Sequence, residues 1–282
     1  MLPCCHAGAP VPSVNGMDES FYVPLGDDRW QATVHTTGPW DPRAQHGGPP
    51  SALLCRAMRR LHPRDDMMIT RFSCEILRPI PVGELTISAR RARPGLSVEL
   101  LEATMSSHGH EVARASAWQV QRTEAAPTAS RLAAPPPLPG KPQFTRPPPG
   151  WVDGYMSAID IRAARGSLTA PGPGAFWGRM LYPLVPGEEP SPVERTLVIA
   201  DSGNGASLEI DVAHWFSLNT ELTVHLHREP AGEWICLDAK TTVSHGGTGI
   251  ATSVLSDLDG PVGVGAQALL IAQRPARVPQ PA

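Results

Sequence analysis

ILRPIPVGELTISARR, from Ile76 to Arg91, returns later in the chain as LHREPAGEWICLDAK, from Leu226 to Lys240. Each stretch has an Arg, a Pro-bearing turn, Gly-Glu, and then an alternating strand pattern that closes on a basic residue. The offsets are nearly constant: 150 from Arg78 to Arg228, 149 from Glu84 to Glu233, and 149 from Arg91 to Lys240. Both run on to a polar tip with a Gly, SSHGHEV (Ser106–Val112) and SDLDGPV (Ser256–Val262), again 150 residues apart. Solenoid units repeat every ~20–50 residues, so this period marks a duplicated domain.

The 282 residues suffice for two domains, each with its own core. A net charge of -3 argues against a nucleic-acid partner. No run approaches the roughly eighteen apolar residues of a membrane span. The start, MLPCCHAGAPVPSVNG, lacks the basic flank and apolar run of a signal peptide. Cys55, Cys74 and Cys236 lie inside apolar patterns and Cys4-Cys5 in a tail expected to be mobile; no two make CxxC. They read as reduced thiols of a cytoplasmic protein. Prolines gather in AAPPPLPGKPQFTRPPPG (Ala133–Gly150), which suits neither helix nor central strand. The expected division is a tail at 1–20, a first domain at 21–124, a linker at 125–150, a second domain at 151–274 and a tail at 275–282.

In the first copy PPSALLCRAMRRLHP sets Ala52, Leu53, Ala57, Met58 and Leu61 on one helical stripe, with Pro49-Pro50 at its start. Strands are predicted at Phe21–Pro24 and Trp30–Thr36 before it. Met67–Leu77, Gly83–Arg93, Leu96–Ser106 and Glu111–Gln121 follow it as an antiparallel meander. In the second copy a leading strand is predicted at Ala175–Leu181 and a helix at Ser191–Asp201. Four strands follow, at Leu218–Leu226, Glu233–Val243, Thr248–Ser256 and Val262–Ile271. Strand, helix, then four strands, repeated, is an α+β architecture in which each sheet wraps one central helix.

This pattern resembles a hotdog domain, and two in one chain resemble the double-hotdog acyl-CoA thioesterase II family. The strings that carry the likeness are HGGPPSALL at His46–Leu54, RFSCEILRPIPVGEL at Arg71–Leu85, ARASAWQVQ at Ala113–Gln121, IADSGNG at Ile199–Gly205 and GVGAQALLI at Gly263–Ile271. It spans about Phe21 to Ile271. The resemblance implies a tandem hotdog and a carboxylate, a small polar residue and a glutamine that orient a water toward a thioester. By position these are Asp201, either Asn219 or Thr220, and Gln267. The family usually has Thr at the middle place, and this chain departs from it there.

The chemistry stands without the family. A thioester carbonyl is electrophilic enough to need no metal, cofactor or serine nucleophile. Asp201 would serve as general base, with Gln267 and Asn219 offering amide hydrogen bonds. The start of the first helix, with Gly47 and Gly48, offers backbone N–H groups to an oxyanion, and His46, Gly47, Gly48 and Arg78 are the candidate substrate-binding residues. Arg56, Arg59 and Arg60 join Arg78 as candidates for the phosphates of CoA. A serine-hydrolase reading of the HGG string fails for want of a Gly-x-Ser-x-Gly elbow. His225-x-His227 has no third ligand at a zinc spacing.

The expected function is hydrolysis of fatty or polyketide acyl thioesters of CoA or acyl carrier protein. The rival is a non-hydrolytic hotdog protein that binds, cyclises or dehydrates an acyl group, with His46 as its acid or base. Either a monomer of two hotdogs or a homodimer is compatible with the pattern.

Overall fold

The computed structural model describes residues 19–39, 41–123, 128–141, 153–212 and 214–274. Almost all of both expected tails, Cys4-Cys5, Trp40, Trp151 and parts of the expected linker lie outside them. In the first copy a hairpin of β1 (Tyr22–Gly26) and β2 (Arg29–Ala32) leads to α1 (Gly48–Leu61). Then come β3 (Met67–Ile76), β4 (Glu84–Arg93), β5 (Val98–Ser107) and β6 (His110–Gln121). The second copy opens with one helical turn, α2 (Tyr155–Ala158), then β7 (Ile159–Arg165), β8 (Gly174–Met180), α3 (Pro192–Ala200) and the short α4 (Gly203–Ala206). It closes with β9 (Trp215–Asn219), β10 (Glu221–Leu226), β11 (Ile235–Val243), β12 (Thr248–Asp257) and β13 (Gly260–Gln273).

All thirteen strands form one antiparallel sheet in the order β1-β2-β4-β5-β6-β3-β10-β13-β12-β11-β8-β7, with β9 also on β13. The order is a palindrome. Its centre is the β3–β10 pair, where Ser73 lies opposite Thr223, two positions that are themselves 150 residues apart. A pseudo-twofold axis therefore passes between them. The expected meander holds for β4, β5 and β6 and, in the second copy, for β11, β12 and β13, but not for the strand that precedes each trio. β3 lies across the sheet from β4, beside β6, and Pro79 and Pro81 fall in the connection between β3 and β4. That placement frees the other edge of β3 to pair with β10.

Even the irregularities are duplicated. The β3 register shifts between Ile69 and Arg71, and pairing to β13 shifts by one residue between Asn219 and Thr223. Thr70 Oγ1 donates to Trp118 O and Thr220 Oγ1 to Ala268 O, each at 3.4 Å. The strand predicted at Leu218–Leu226 is therefore broken by a bulge at Thr220, which a hydrophobicity pattern does not display.

Each half-sheet curls over its helix. α1 buries Ala52, Leu53, Leu54, Cys55 and Met58 against β4, β5 and β6, each large side chain contributing about 1.5–3 kcal/mol. Small residues Ala103, Ala113, Ala115 and Ala117 on the facing strands admit the helix closely. The two helices also pack on each other, with α1 so near α3 that a Cβ on Gly48 would stand 2.2 Å from Val198 O. The described part of the Pro-rich segment lies along the second copy. Pro136 O accepts from Trp177 Nε1 at 3.0 Å, and Pro139 O accepts from Arg162 at 3.1 Å. Among the described residues no helix is long and apolar enough to cross a membrane.

Candidate active site

α3 starts on a reciprocal cap. Ser191 Oγ accepts from Glu194 N, Glu194 Oε2 accepts from Ser191 N, and Pro192 occupies the first turn. At its other end the backbone stays helical through Asp201 (φ −67°, ψ −13°) and passes by Ser202 into α4. Asp201 is thereby kept beneath the sheet, 6% exposed. A carboxylate there faces the negative end of the helix dipole, and donors from the sheet offset this. Asn219 Nδ2 donates to Asp201 Oδ1 at 2.8 Å. Gln267 Nε2 donates to the same oxygen at 3.0 Å and to Asp201 O at 2.9 Å. Gln267 Oε1 accepts from Asn204 N at 2.9 Å, so both ends of the amide are held. Of the two alternatives at the middle place, Asn219 faces the carboxylate, while Thr220 is exposed and spends its hydroxyl on Ala268 O.

The other side of the carboxylate comes from the first copy. His46 Nδ1 lies 3.1 Å from Asp201 Oδ2, and the Gly48 N–H donates to the same ring nitrogen at 3.2 Å. The imidazole stacks on Tyr155 at 3.7 Å and 3°. Tyr155 OH in turn donates to Val198 O at 2.9 Å and lies 2.9 Å from Ser202 Oγ. Gly47 is pressed against the carboxylate: a Cβ there would be 2.9 Å from Oδ2 and 3.0 Å from Oδ1. Its φ of −70° suits any residue, so the demand for glycine is one of space. Pro49 and Pro50 carry no N–H and the Gly48 N–H is spent on His46 Nδ1, which leaves the Gly47 N–H as the candidate donor of the helix start.

Burial pushes the His46 imidazole below its usual value despite the opposing pull of Asp201, so the ring is neutral near pH 7. Burial likewise raises the Tyr155 hydroxyl, opposed by its Ser202 hydrogen bond and reinforced by the Asp201 charge. It lifts the Cys74 thiol to about 12, which removes Cys74 as a nucleophile. His46 and Ser202 border a 60 Å³ cavity, and Asp201 is absent from its described lining. His46 thus stands between the carboxylate and the open space.

The structure brings Asp201, Asn219, Gln267, His46, Gly47 and Gly48 together. Arg78 is exposed beyond β3 and takes part in none of the hydrogen bonds of this cluster. Arg56, Arg59 and Arg60 sit toward the far end of α1, paired with Glu188 and Glu194. Shifting by the repeat offset puts Ile69 at the place of Asn219 and Ala117 at that of Gln267, both buried and apolar. The polar set is therefore built once. Sequence reasoning missed Tyr155, which lies in an irregular stretch with no periodic signal. Ser202 was visible only as a neighbour of Asp201.

Residues 36–120 match the family model of the acyl-CoA thioesterase N-terminal domain, and residues 129–271 match that of the C-terminal domain. No curated protein matches the chain. Among solved structures, a hot dog fold protein of unknown function from Alicyclobacillus acidocaldarius is 17% identical with a TM-score of 0.71, over 93% of this chain and 99% of that one. The acyl-CoA thioesterase II TesB2 of Mycobacterium marinum is also 17% identical, with a TM-score of 0.63, over 92% of this chain and 97% of that one. The tesB protein of Mycobacterium avium subspecies paratuberculosis is 13% identical with a TM-score of 0.63, over 90% and 96%. At these identities the likenesses speak to the fold, a tandem hotdog.

Proposed function

The chain belongs to the acyl-CoA thioesterase family, carrying its N-terminal and C-terminal domains in tandem, and we propose from that premise that it hydrolyses acyl-CoA thioesters at Asp201. One observation carries the reading: a buried carboxylate whose Oδ1 is fixed by two amides while Oδ2 meets a neutral histidine that borders a cavity.

A proton on Nδ1 turns that atom from an acceptor of the Gly48 N–H into a donor to Oδ2. In that tautomer His46 presents Nε2 as a base, and Asp201 both orients the ring and stabilises the imidazolium formed. Tyr155, stacked on the imidazole, prevents the ring from turning away. A water on the carbonyl carbon gives its proton to the His46–Asp201 pair as the C–O bond forms. The backbone N–H of Gly47 is the candidate donor for the oxyanion, since that of Gly48 points at His46 Nδ1. The tetrahedral intermediate then expels the thiolate, which recovers the proton from the pair. The products are a free acid and CoA thiol, in balance with one water consumed.

Thiol release from acyl-CoAs by wild type and Asp201→Asn tests this. A loss of kcat of about 10²–10⁴-fold in the variant, with folding intact, is the expected result. Release unchanged in Asp201→Asn would remove the carboxylate from the chemistry.

The same His–carboxylate contact favours a second reading, hydration or dehydration of an acyl thioester, which needs an acid–base pair and no water attack on the carbonyl. The two separate by product. A hydratase consumes the conjugated double bond of an enoyl-CoA and releases no thiol.

A further inference from the structure

The cavity beside His46 is walled mainly by apolar side chains. Ile161 on β7, Phe176 on β8 and Leu168 in the loop that joins those strands line it. Met156 on α2 and Ala206 on α4 line it as well. Ile161, Leu168, Phe176 and Ala206 are all at most 7% exposed. The walls have little freedom to retreat. A Cβ on Gly174 would lie 2.3 Å from Ala206 O, so β8 and α4 already touch backbone to backbone. A Cβ on Gly178 would meet Ile199 Cδ1 at 2.6 Å and the Phe176 ring at 3.2 Å, which fixes β8 against α3. At Gly205, by contrast, an added Cβ meets nothing within 4 Å, and this residue is part of the cavity lining.

We propose, resting on the thioesterase reading, that this cavity is the acyl pocket and that it restricts the enzyme to short acyl-CoAs, of three to four carbons. An apolar cavity of about 150 Å³ accommodates the six carbons of benzene. The 60 Å³ here therefore takes two or three carbons beyond a carbonyl held at His46. The lining is apolar apart from His46 and Ser202, which suits a plain alkyl chain over a hydroxylated one.

The test is kcat/KM for thiol release from acetyl-, propionyl-, butyryl-, hexanoyl-, octanoyl- and palmitoyl-CoA. Wild type is expected to gain roughly fourfold per methylene up to butyryl, then to fall by about tenfold or more at hexanoyl. Leu168→Ala, which removes three carbons of side chain from the lining, is expected to move the optimum to hexanoyl or octanoyl. Gly205→Val adds bulk to the lining at a position where a Cβ meets nothing within 4 Å, and is expected to lower butyryl turnover more than acetyl turnover. Circular dichroism and the denaturation midpoint establish that both variants fold. Wild type that prefers octanoyl or longer chains, with release still lost in Asp201→Asn, overturns the length limit and leaves hydrolysis standing. So does a chain-length profile that neither folded variant moves. Absence of release from every chain by folded wild type overturns both.

Discussion

Adding one carbon to Gly48 tests whether the contact between the copies builds the site. A Cβ there would lie 2.2 Å from Val198 O, 2.9 Å from its carbonyl carbon and 3.1 Å from its Cα. Carbon–oxygen contacts of this kind settle near ~3.3–3.6 Å, so α1 and α3 must part by about 1 Å in Gly48→Ala. Gly48 is not among the residues of positive φ, and alanine favours helices, so the backbone itself raises no objection. The cost is overpacking, about 1–3 kcal/mol and toward the upper end, because the atoms met are main chain. The same movement draws His46 away from Asp201, stretching their 3.1 Å contact to about 4 Å. A misplacement of ~1 Å is worth about 10²-fold in rate. The assay is a denaturant titration beside kcat/KM for thiol release, with Gly83→Ala as control, since a Cβ there meets nothing within 4 Å. A Gly48→Ala protein with the wild-type midpoint and wild-type kcat/KM would refute the argument.

Gln267→Ala strands the buried Asn204 N–H and frees one side of Asp201. It is expected to destabilise by about 1–3 kcal/mol and to lower kcat at least tenfold; equal loss of stability with unaltered kcat would make Gln267 structural only. Asp257, fully buried and bound by two oxygens to Arg228, stands apart from the site. Asp257→Asn is expected to cost about 3–5 kcal/mol in denaturation while leaving the order of preferred acyl chains as it was. Stability should also follow His46. Its folded value lies below the unfolded value near 6.5, so the unfolded chain takes up the proton first as pH falls. The contribution is complete above about pH 6.5 and is lost as pH falls from there through the folded value, with a slope of at most about 1.4 kcal/mol per pH unit. His46→Gln should flatten the denaturation midpoint between pH 7.5 and 5.5, and an undiminished slope in that variant contradicts the assignment.

The repeat and its strands were legible because hydrophobic alternation and turn residues act locally. β4, β5, β6, β11, β12 and β13 fall within a few residues of where the pattern puts them. Asp201 was legible through its place in the string IADSGNG, at the end of the predicted Ser191–Asp201 helix. What escaped depends on distant neighbours. The crossing of β3 to the side of β6 arises from which edges pair, not from its own side chains. The bulge at Thr220 selects Asn219 over Thr220, and a pattern of period two carries no mark of one extra residue. That His46 reaches Asp201 follows only from the antiparallel packing of α1 on α3.

The junction of β3 and β10 has a consequence for inheritance. Each copy supplies what the other lacks: the first gives the glycines and the imidazole, the second gives the carboxylate and its amides. The chain is in effect a heterodimer written as one polypeptide, and its halves are no longer interchangeable. A polypeptide severed between the copies would leave two fragments, each with a bare strand edge prone to aggregate and neither with the whole cluster. Recovery would require both fragments to fold together, and a lesson learned from mutating one half would not transfer to the other.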